Sequence, residues 1–136
     1  MSVRLTRRSF LALAALGLAG GGAAAVRALT HDDTGEWNGP ARTAALLFDD
    51  PEAARVLGER WIERPSPEDD AQRLVELLSQ DQPALGRALT AADVPALRRL
   101  AGSRVAHDLG AGHFLVVDGW FVSFTESRLA ALLAVP

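Results

Sequence analysis

The sequence predicts a mostly α-helical fold: a small helical domain with one C-terminal β-hairpin followed by a final helix. In the middle of the chain, apolar residues recur at three- and four-residue spacing, which is typical of amphipathic helices. The spacing then changes to two-residue alternation on both sides of Asp118-Gly119, a strong signal for a two-residue hairpin turn. Ser123-Phe124-Thr125-Glu126 follows and fits a capping box, which predicts the start of the final helix.

Proline and acidic residues mark the helix starts before the hairpin. Asp50-Pro51-Glu52 combines an Asp cap with proline at the first helical position, and Ser66-Pro67-Glu68-Asp69 repeats the pattern for a second helix. Gln82-Pro83 opens a third, short helix. A fourth begins around Asp93, and we expect it to kink or break at Gly102 because glycine weakens a helix interior.

The two aromatic residues after the hairpin turn are candidate interface residues. Trp120 and Phe121 must point to opposite faces of their strand, so one can enter the core while the other lies on the surface unless the last helix covers it. The outer face of the hairpin is either Phe114/Val116 or Leu115/Val117, and the alternation alone does not decide between them. Exposed aromatic side chains are enriched at protein interfaces.

Composition excludes several classes of protein. The chain has 136 residues, 17 acidic residues, 14 basic residues that are all arginine, and no cysteine. This length predicts one folded domain. The absence of cysteine excludes iron–sulfur clusters, c-type haem attachment, cysteine-ligated zinc and thiol catalysis. A formal net charge of -3 argues against nucleic acid as a partner.

The first 28 residues have the pattern of an export signal. They contain no Asp or Glu, and a basic start is followed by an apolar stretch from Phe10 and an Ala/Gly-rich end. Within them, Thr6-Arg7-Arg8-Ser9-Phe10-Leu11 resembles the twin-arginine (Tat) motif of bacterial signals, with Arg7, Arg8, Phe10 and Leu11 as the motif residues. The resemblance implies the Tat translocase as a partner during export and a periplasmic location, with membrane contact only through the signal segment.

The signal divides the chain into three parts: a signal peptide over 1–28, a flexible arm over 29–42, and a single mostly helical domain over 43–136. Cleavage is expected after Ala28 or Ala25, while an uncleaved membrane anchor is the alternative. Removal of residues 1–28 leaves 108 residues in which ten arginines against 17 acidic residues give a formal net charge of -7.

The C-terminal segment carries a second resemblance. Val117-Asp118-Gly119-Trp120 followed by Ser123-Phe124-Thr125-Glu126 is similar to the ending of small exported bacterial proteins of unassigned function, which share Val-x-Gly-Trp and a Ser-x-Thr-Glu helix start. It covers about a quarter of the chain. It implies no catalytic residues, because that group has no settled activity.

Few residues suggest chemistry. His107, Asp108 and His113 are weak candidates for a metal site, because a glycine-rich corner can bring them together, but no His-x3-His spacing occurs. The alternative interpretation places His107 at a helix C-terminus and His113 at the start of an exposed strand. No serine lies in a Gly-x-Ser-x-Gly or Ser-x-x-Lys motif. We therefore predict no catalytic residues and no cofactor.

An export signal without recognisable cofactor ligands favours a non-catalytic role over an enzyme. We expect a periplasmic accessory or interaction protein, such as the small subunit or Tat-co-exported partner of a larger periplasmic oxidoreductase. The alternative is a small independent metal-binding protein or enzyme that uses His107, Asp108 and His113.

Overall fold

The computed structural model describes residues 37–65, 68–80 and 82–136. These residues form six helices and one two-stranded antiparallel sheet, which confirms the predicted mostly helical class with a hairpin before the last helix. In chain order the elements are α1 (Gly39–Ala45), α2 (Pro51–Ile62), α3 (Ala71–Gln80), α4 (Pro83–Thr90), α5 (Val94–Ala111), β1 (Phe114–Val117), β2 (Trp120–Ser123) and α6 (Phe124–Ala131).

The helix starts follow the local capping chemistry. The Asp50 carboxylate accepts a hydrogen bond from the Ala53 amide at 2.9 Å, and Asp93 caps α5 in the same way. At the start of α6, Ser123 and Glu126 each accept a hydrogen bond from the other's backbone N–H, which confirms the predicted capping box. These bonds satisfy amides that have no partner within the helix.

Two helices differ from their predicted form. Helix α3 begins at Ala71, with Asp70 accepting from the Arg73 amide, whereas the sequence pattern placed its start around 66–69; residues 66–67 lie outside the described residues. Helix α5 runs through Gly102 without the expected break. Its buried face continues on both sides of the glycine through Ala101 and Val105, and this packing outweighs the roughly 1 kcal/mol helix penalty of glycine.

Helix α6 is the central element of the domain. It packs against α1, α2, α3, α5 and β2, and most of its residues are buried. A helix that is buried on nearly all sides needs small side chains where neighbouring elements approach closely. Ser127, Ala130 and Ala131 meet this requirement, and Leu129 with Leu132 fills the remaining core space.

The closest helix crossing joins α2 to α6 at Gly58. A Cβ at this position would lie 2.2 Å from the carbonyl oxygen of Ala130 and 2.7 Å from the Cα of Ala131. Only glycine therefore allows the two backbones to pack at this distance. One turn further along α2, the Trp61 ring contacts the Phe124 ring edge-on, with 5.3 Å between the centroids.

The folded domain begins within the range predicted as a flexible arm. Trp37 is buried, and its indole N–H donates to the carbonyl oxygen of Leu133 at 2.9 Å, while α1 already begins at Gly39. The start of the described chain is thus joined to its C-terminal end. The rest of the predicted arm and the predicted signal peptide lie outside the described residues.

Candidate functional site: the outer face of the hairpin

The hairpin turn is built from Asp118 and Gly119. Their φ angles are +51° and +84°, as a two-residue type I′ turn requires, and the right-handed twist of such a turn matches that of the strands. The register pairs Val116 with Phe121 and Val117 with Trp120. Because side chains alternate along a strand, this register decides which residues share a face.

The inner face of the hairpin packs on the helical core. Val122 is fully buried, and Leu115, Val117 and Trp120 are half-buried against the core. Of the two candidate interface residues, Trp120 therefore lies on the inner face and Phe121 on the outer face. Of the two pairs that could form the outer face, Phe114/Val116 lies outside and Leu115/Val117 packs on the core.

We define the outer hairpin face as Phe114, Val116 and Phe121. Val116 is 62% exposed and Phe121 is 63% exposed, and they face each other across the two strands. The Phe114 and Phe121 rings are in edge-to-face contact, with centroids 4.9 Å apart and planes at 82°. The face is therefore a contiguous apolar surface with an ordered aromatic pair, a geometry that contributes beyond area burial.

A buried polar network holds the base of the hairpin. The Asp108 side chain, at the end of α5, accepts hydrogen bonds from the Thr125 amide at 2.9 Å and the Thr125 hydroxyl at 2.6 Å. Arg104 forms an ion pair with the other carboxylate oxygen at 3.2 Å. The His113 amide also donates to the Asp108 carbonyl, and the Phe124 amide donates to the His113 carbonyl. Both ends of the hairpin are thus fixed to α5 and α6.

Glu126 adds a second buried acid beside this network. Burial raises the pKa of Glu126, the hydrogen bonds from Ser123 act in the opposite direction, and the charge of Asp108 raises it further. The carboxyl group is used by the capping box and faces the protein interior. Its role in this geometry is to hold the junction between β2 and α6.

The weak metal candidates are not gathered into one site. Asp108 is 2% exposed and its oxygens are engaged by Thr125 and Arg104, whereas His107 and His113 are exposed. The His113 ring stacks on the Phe124 ring, with 5.8 Å between the centroids. Over residues 37–65, 68–80 and 82–136, no group of three or more His, Cys, Asp or Glu side chains is placed to hold a metal ion.

A cluster of arginine and aromatic side chains lies beside the hairpin and was not predicted from the sequence. Glu68 accepts two hydrogen bonds from the Arg128 guanidinium and one from the Trp61 indole. Burial acts to raise the pKa of Glu68, but these bonds and the charges of Arg128 and Arg64 lower it overall. The Arg64 guanidinium lies 4.0 Å from the centre of the Trp61 ring, a cation–π distance. Glu68 and Arg128 are 60 residues apart, and no local sequence signal pairs them.

The signal motif residues Arg7, Arg8, Phe10 and Leu11 lie outside the described residues. None of the six described helices is long and apolar enough to cross a membrane.

Comparisons with known protein families, with curated proteins and with solved structures find no match to this chain. The class of protein is therefore defined by its own geometry: a small helical domain that presents a rigid hairpin with an exposed apolar face.

Proposed function

We propose that the chain is an exported periplasmic accessory protein that binds a larger exported protein through its outer hairpin face. The observation that carries this proposal is the exposure of Val116 and Phe121. Among the described residues, the only other exposed large apolar side chain is Leu109, which is less exposed, at 39%. Two apolar side chains that are adjacent and mostly exposed mark a protein interaction site more often than scattered ones.

The hairpin is suited to binding because it is already ordered. A lone two-stranded hairpin is marginal in water, but here Val122 is anchored in the core and the Asp108–Thr125 bonds fix the base. A face that is rigid before binding loses little conformational entropy when a partner covers it.

Charge and export route define the class of partner. The chain after residue 28 has a formal net charge of -7, so a partner surface with basic residues around an apolar patch is complementary. The resemblance of Thr6–Leu11 to a Tat motif points to a partner exported by the same route. Enzymes that carry cofactors are common among such cargo, and this chain offers no recognisable cofactor ligands of its own. The partner class that fits is a larger periplasmic oxidoreductase subunit.

Affinity capture with matched variants tests the proposed interaction. The full-length gene with a C-terminal tag is expressed in its native host, as wild type, as Phe121→Ser and as Leu77→Ala, and proteins captured from the periplasmic fraction are identified. Leu77 on α3 is a partly exposed apolar residue away from the hairpin and serves as the control. We expect one exported protein to be captured by wild type and Leu77→Ala but lost with Phe121→Ser. Equal capture by all three proteins, or monomeric wild type without a partner, would refute the proposal.

A separate experiment tests the export route. The double substitution Arg7→Lys/Arg8→Lys removes the paired arginines while keeping their charge, so processed protein should disappear from the periplasmic fraction. Continued appearance of processed protein in the periplasm would show that another route exports the chain.

A further inference from the structure

A cavity of about 370 Å³ lies between helix α2 and the inner side of the hairpin. Its apolar lining comes from Leu57 and Trp61 on α2 and from Leu115 and Val117 on β1. This volume falls in the lower part of the roughly 300–1,000 Å³ range of small-molecule sites, which are mostly apolar with a few placed polar groups. It is large enough for a small organic molecule.

The polar groups around the cavity are mainly cationic. Arg60 and Arg64 line it, together with one carboxylate, Asp118. Arg60 pairs with Asp118 at 3.2 Å, but both side chains are about half exposed, so the pair is weak and its guanidinium can exchange to a bound anion. The Arg64 guanidinium lies 4.0 Å from the centre of the Trp61 ring, and a guanidinium has five N–H donors with which to bind an anion. The two arginines and one aspartate give the lining a formal charge of +1, in a chain whose overall formal charge is negative.

A buried serine with an unsatisfied hydroxyl also lines the cavity. Ser127 on α6 lines it, its side chain is fully buried, and its Oγ has no hydrogen-bond partner among the described residues. Leaving a buried hydroxyl unpaired destabilises a protein by about 1–3 kcal/mol. Alanine, which α6 uses at Ala130 and Ala131 in similarly close packing, would avoid that loss. A serine at this position is explained if its hydroxyl forms a hydrogen bond with a molecule that enters the cavity.

We propose that this cavity binds a small anionic molecule with an apolar body and a second polar group. The apolar body lies between α2 and β1, the anionic group is bound by Arg64 and Arg60, and the second polar group forms a hydrogen bond with the Ser127 hydroxyl. Carboxylates are among the anions that the planar arginine fork binds with two parallel hydrogen bonds. The site does not depend on the outer hairpin face, because its residues face the opposite side of the hairpin, apart from Val116 at the rim.

Titrations of the full-length protein with three related probes test this site. The probes are 4-hydroxyphenylacetate, which has both polar groups, phenylacetate, which lacks the hydroxyl, and 4-hydroxyphenylacetamide, which lacks the charge. Binding is followed by NMR shifts of the Trp61 indole and the Leu115 and Ser127 amides. We expect saturable shifts with 4-hydroxyphenylacetate and at least tenfold weaker binding of its amide. The absence of saturable shifts at these three positions with both carboxylates would overturn the proposal.

Matched variants separate the ligand contacts from structural roles. Arg64→Gln should weaken 4-hydroxyphenylacetate about tenfold, whereas Arg99→Gln, which removes an exposed charge from α5, should leave it unchanged. Ser127→Ala should weaken 4-hydroxyphenylacetate about fivefold, leave phenylacetate unchanged and keep or raise the urea unfolding midpoint. Unchanged affinity in Arg64→Gln would refute the anion site. A lower unfolding midpoint in Ser127→Ala would show that the hydroxyl serves the fold instead of a ligand.

Discussion

Replacing Phe121 with alanine tests whether the outer hairpin face supplies binding energy. Phe121 is 63% exposed. A phenylalanine side chain presents about 200 Å² at full exposure, so about 125 Å² remains for a partner to cover. At about 25 cal/mol per Å² this area contributes about 3 kcal/mol, which is about a hundredfold in Kd. The buried third of the ring and its contact with Phe114 contribute less, so the free energy of unfolding should fall by only about 1–2 kcal/mol.

Two measurements separate these effects. Isothermal titration of the processed protein against the purified partner gives Kd for wild type, Phe121→Ala and Leu77→Ala, and urea unfolding gives the stability of each. We expect Phe121→Ala to remain folded and to bind about a hundredfold more weakly, while Leu77→Ala binds as wild type does. Because Leu77 lies on α3, a loss of binding there cannot come from the hairpin.

Binding of Phe121→Ala within about twofold of wild type would refute a central role for this ring, since a residue at the centre of an interface must lose more than that. Equal weakening of binding by Leu77→Ala and Phe121→Ala would also refute it.

Three further predictions concern the framework that positions the hairpin. Gly58→Ala should lower the free energy of unfolding by about 3 kcal/mol, because its Cβ would lie 2.2 Å from a backbone carbonyl oxygen of α6. Gly110→Ala, whose Cβ would meet nothing within 4 Å, should raise the free energy of unfolding by about 0.5–1 kcal/mol. Urea unfolding midpoints equal to that of wild type would contradict both predictions. Asp108→Ala should lower it by about 3 kcal/mol because the amide and hydroxyl of Thr125 lose their acceptor; a loss below about 1 kcal/mol would show that the network is dispensable. Burial raises the pKa of Glu126 above its ordinary value of 4.5, so the folded chain binds that proton more tightly than the unfolded chain. The resulting stabilisation is complete below the unfolded pKa and is lost as the pH rises through the folded pKa. The stability of wild type minus that of Glu126→Gln, measured by urea unfolding, should therefore decrease as the pH rises above about 4.5, and a flat difference would contradict this.

Local signals were enough to predict most element starts and the hairpin. The caps at Asp50 and Asp93, the box at Ser123 and the turn at Asp118 each involve residues within four positions of one another. Their chemistry is short-range, so it can be identified in the sequence without knowledge of the tertiary structure. The expected break at Gly102 does not occur, because tertiary packing of α5 outweighs helix propensity.

The choice of the outer hairpin face could not be made from the sequence. Alternation separates Phe114 and Val116 from Leu115 and Val117, but both sets are apolar, so neither is favoured for burial by composition. The choice is made by α5 and α6, which fix the two ends of the hairpin through Asp108 and Ser123 and so turn Val122 toward the core.

The cavity beside the hairpin could not be predicted from the sequence either. It brings together Trp61, Val117 and Ser127 from three separate elements. None of these residues belongs to a motif for ligand binding, and the unpaired hydroxyl of Ser127 becomes meaningful only when its surroundings are known. A serine in a helix next to a capping box otherwise resembles an ordinary surface residue.

Site-specific photo-crosslinking in the native host tests the central claim most directly. A photoreactive amino acid is placed at Val116, on the outer hairpin face, or at Leu77 on α3 as the control, and crosslinked products are isolated from the periplasmic fraction. We expect one discrete product at position 116, formed with a larger exported protein, and none at position 77. Properly exported protein that gives no product at position 116, or the same product at both positions, would contradict it.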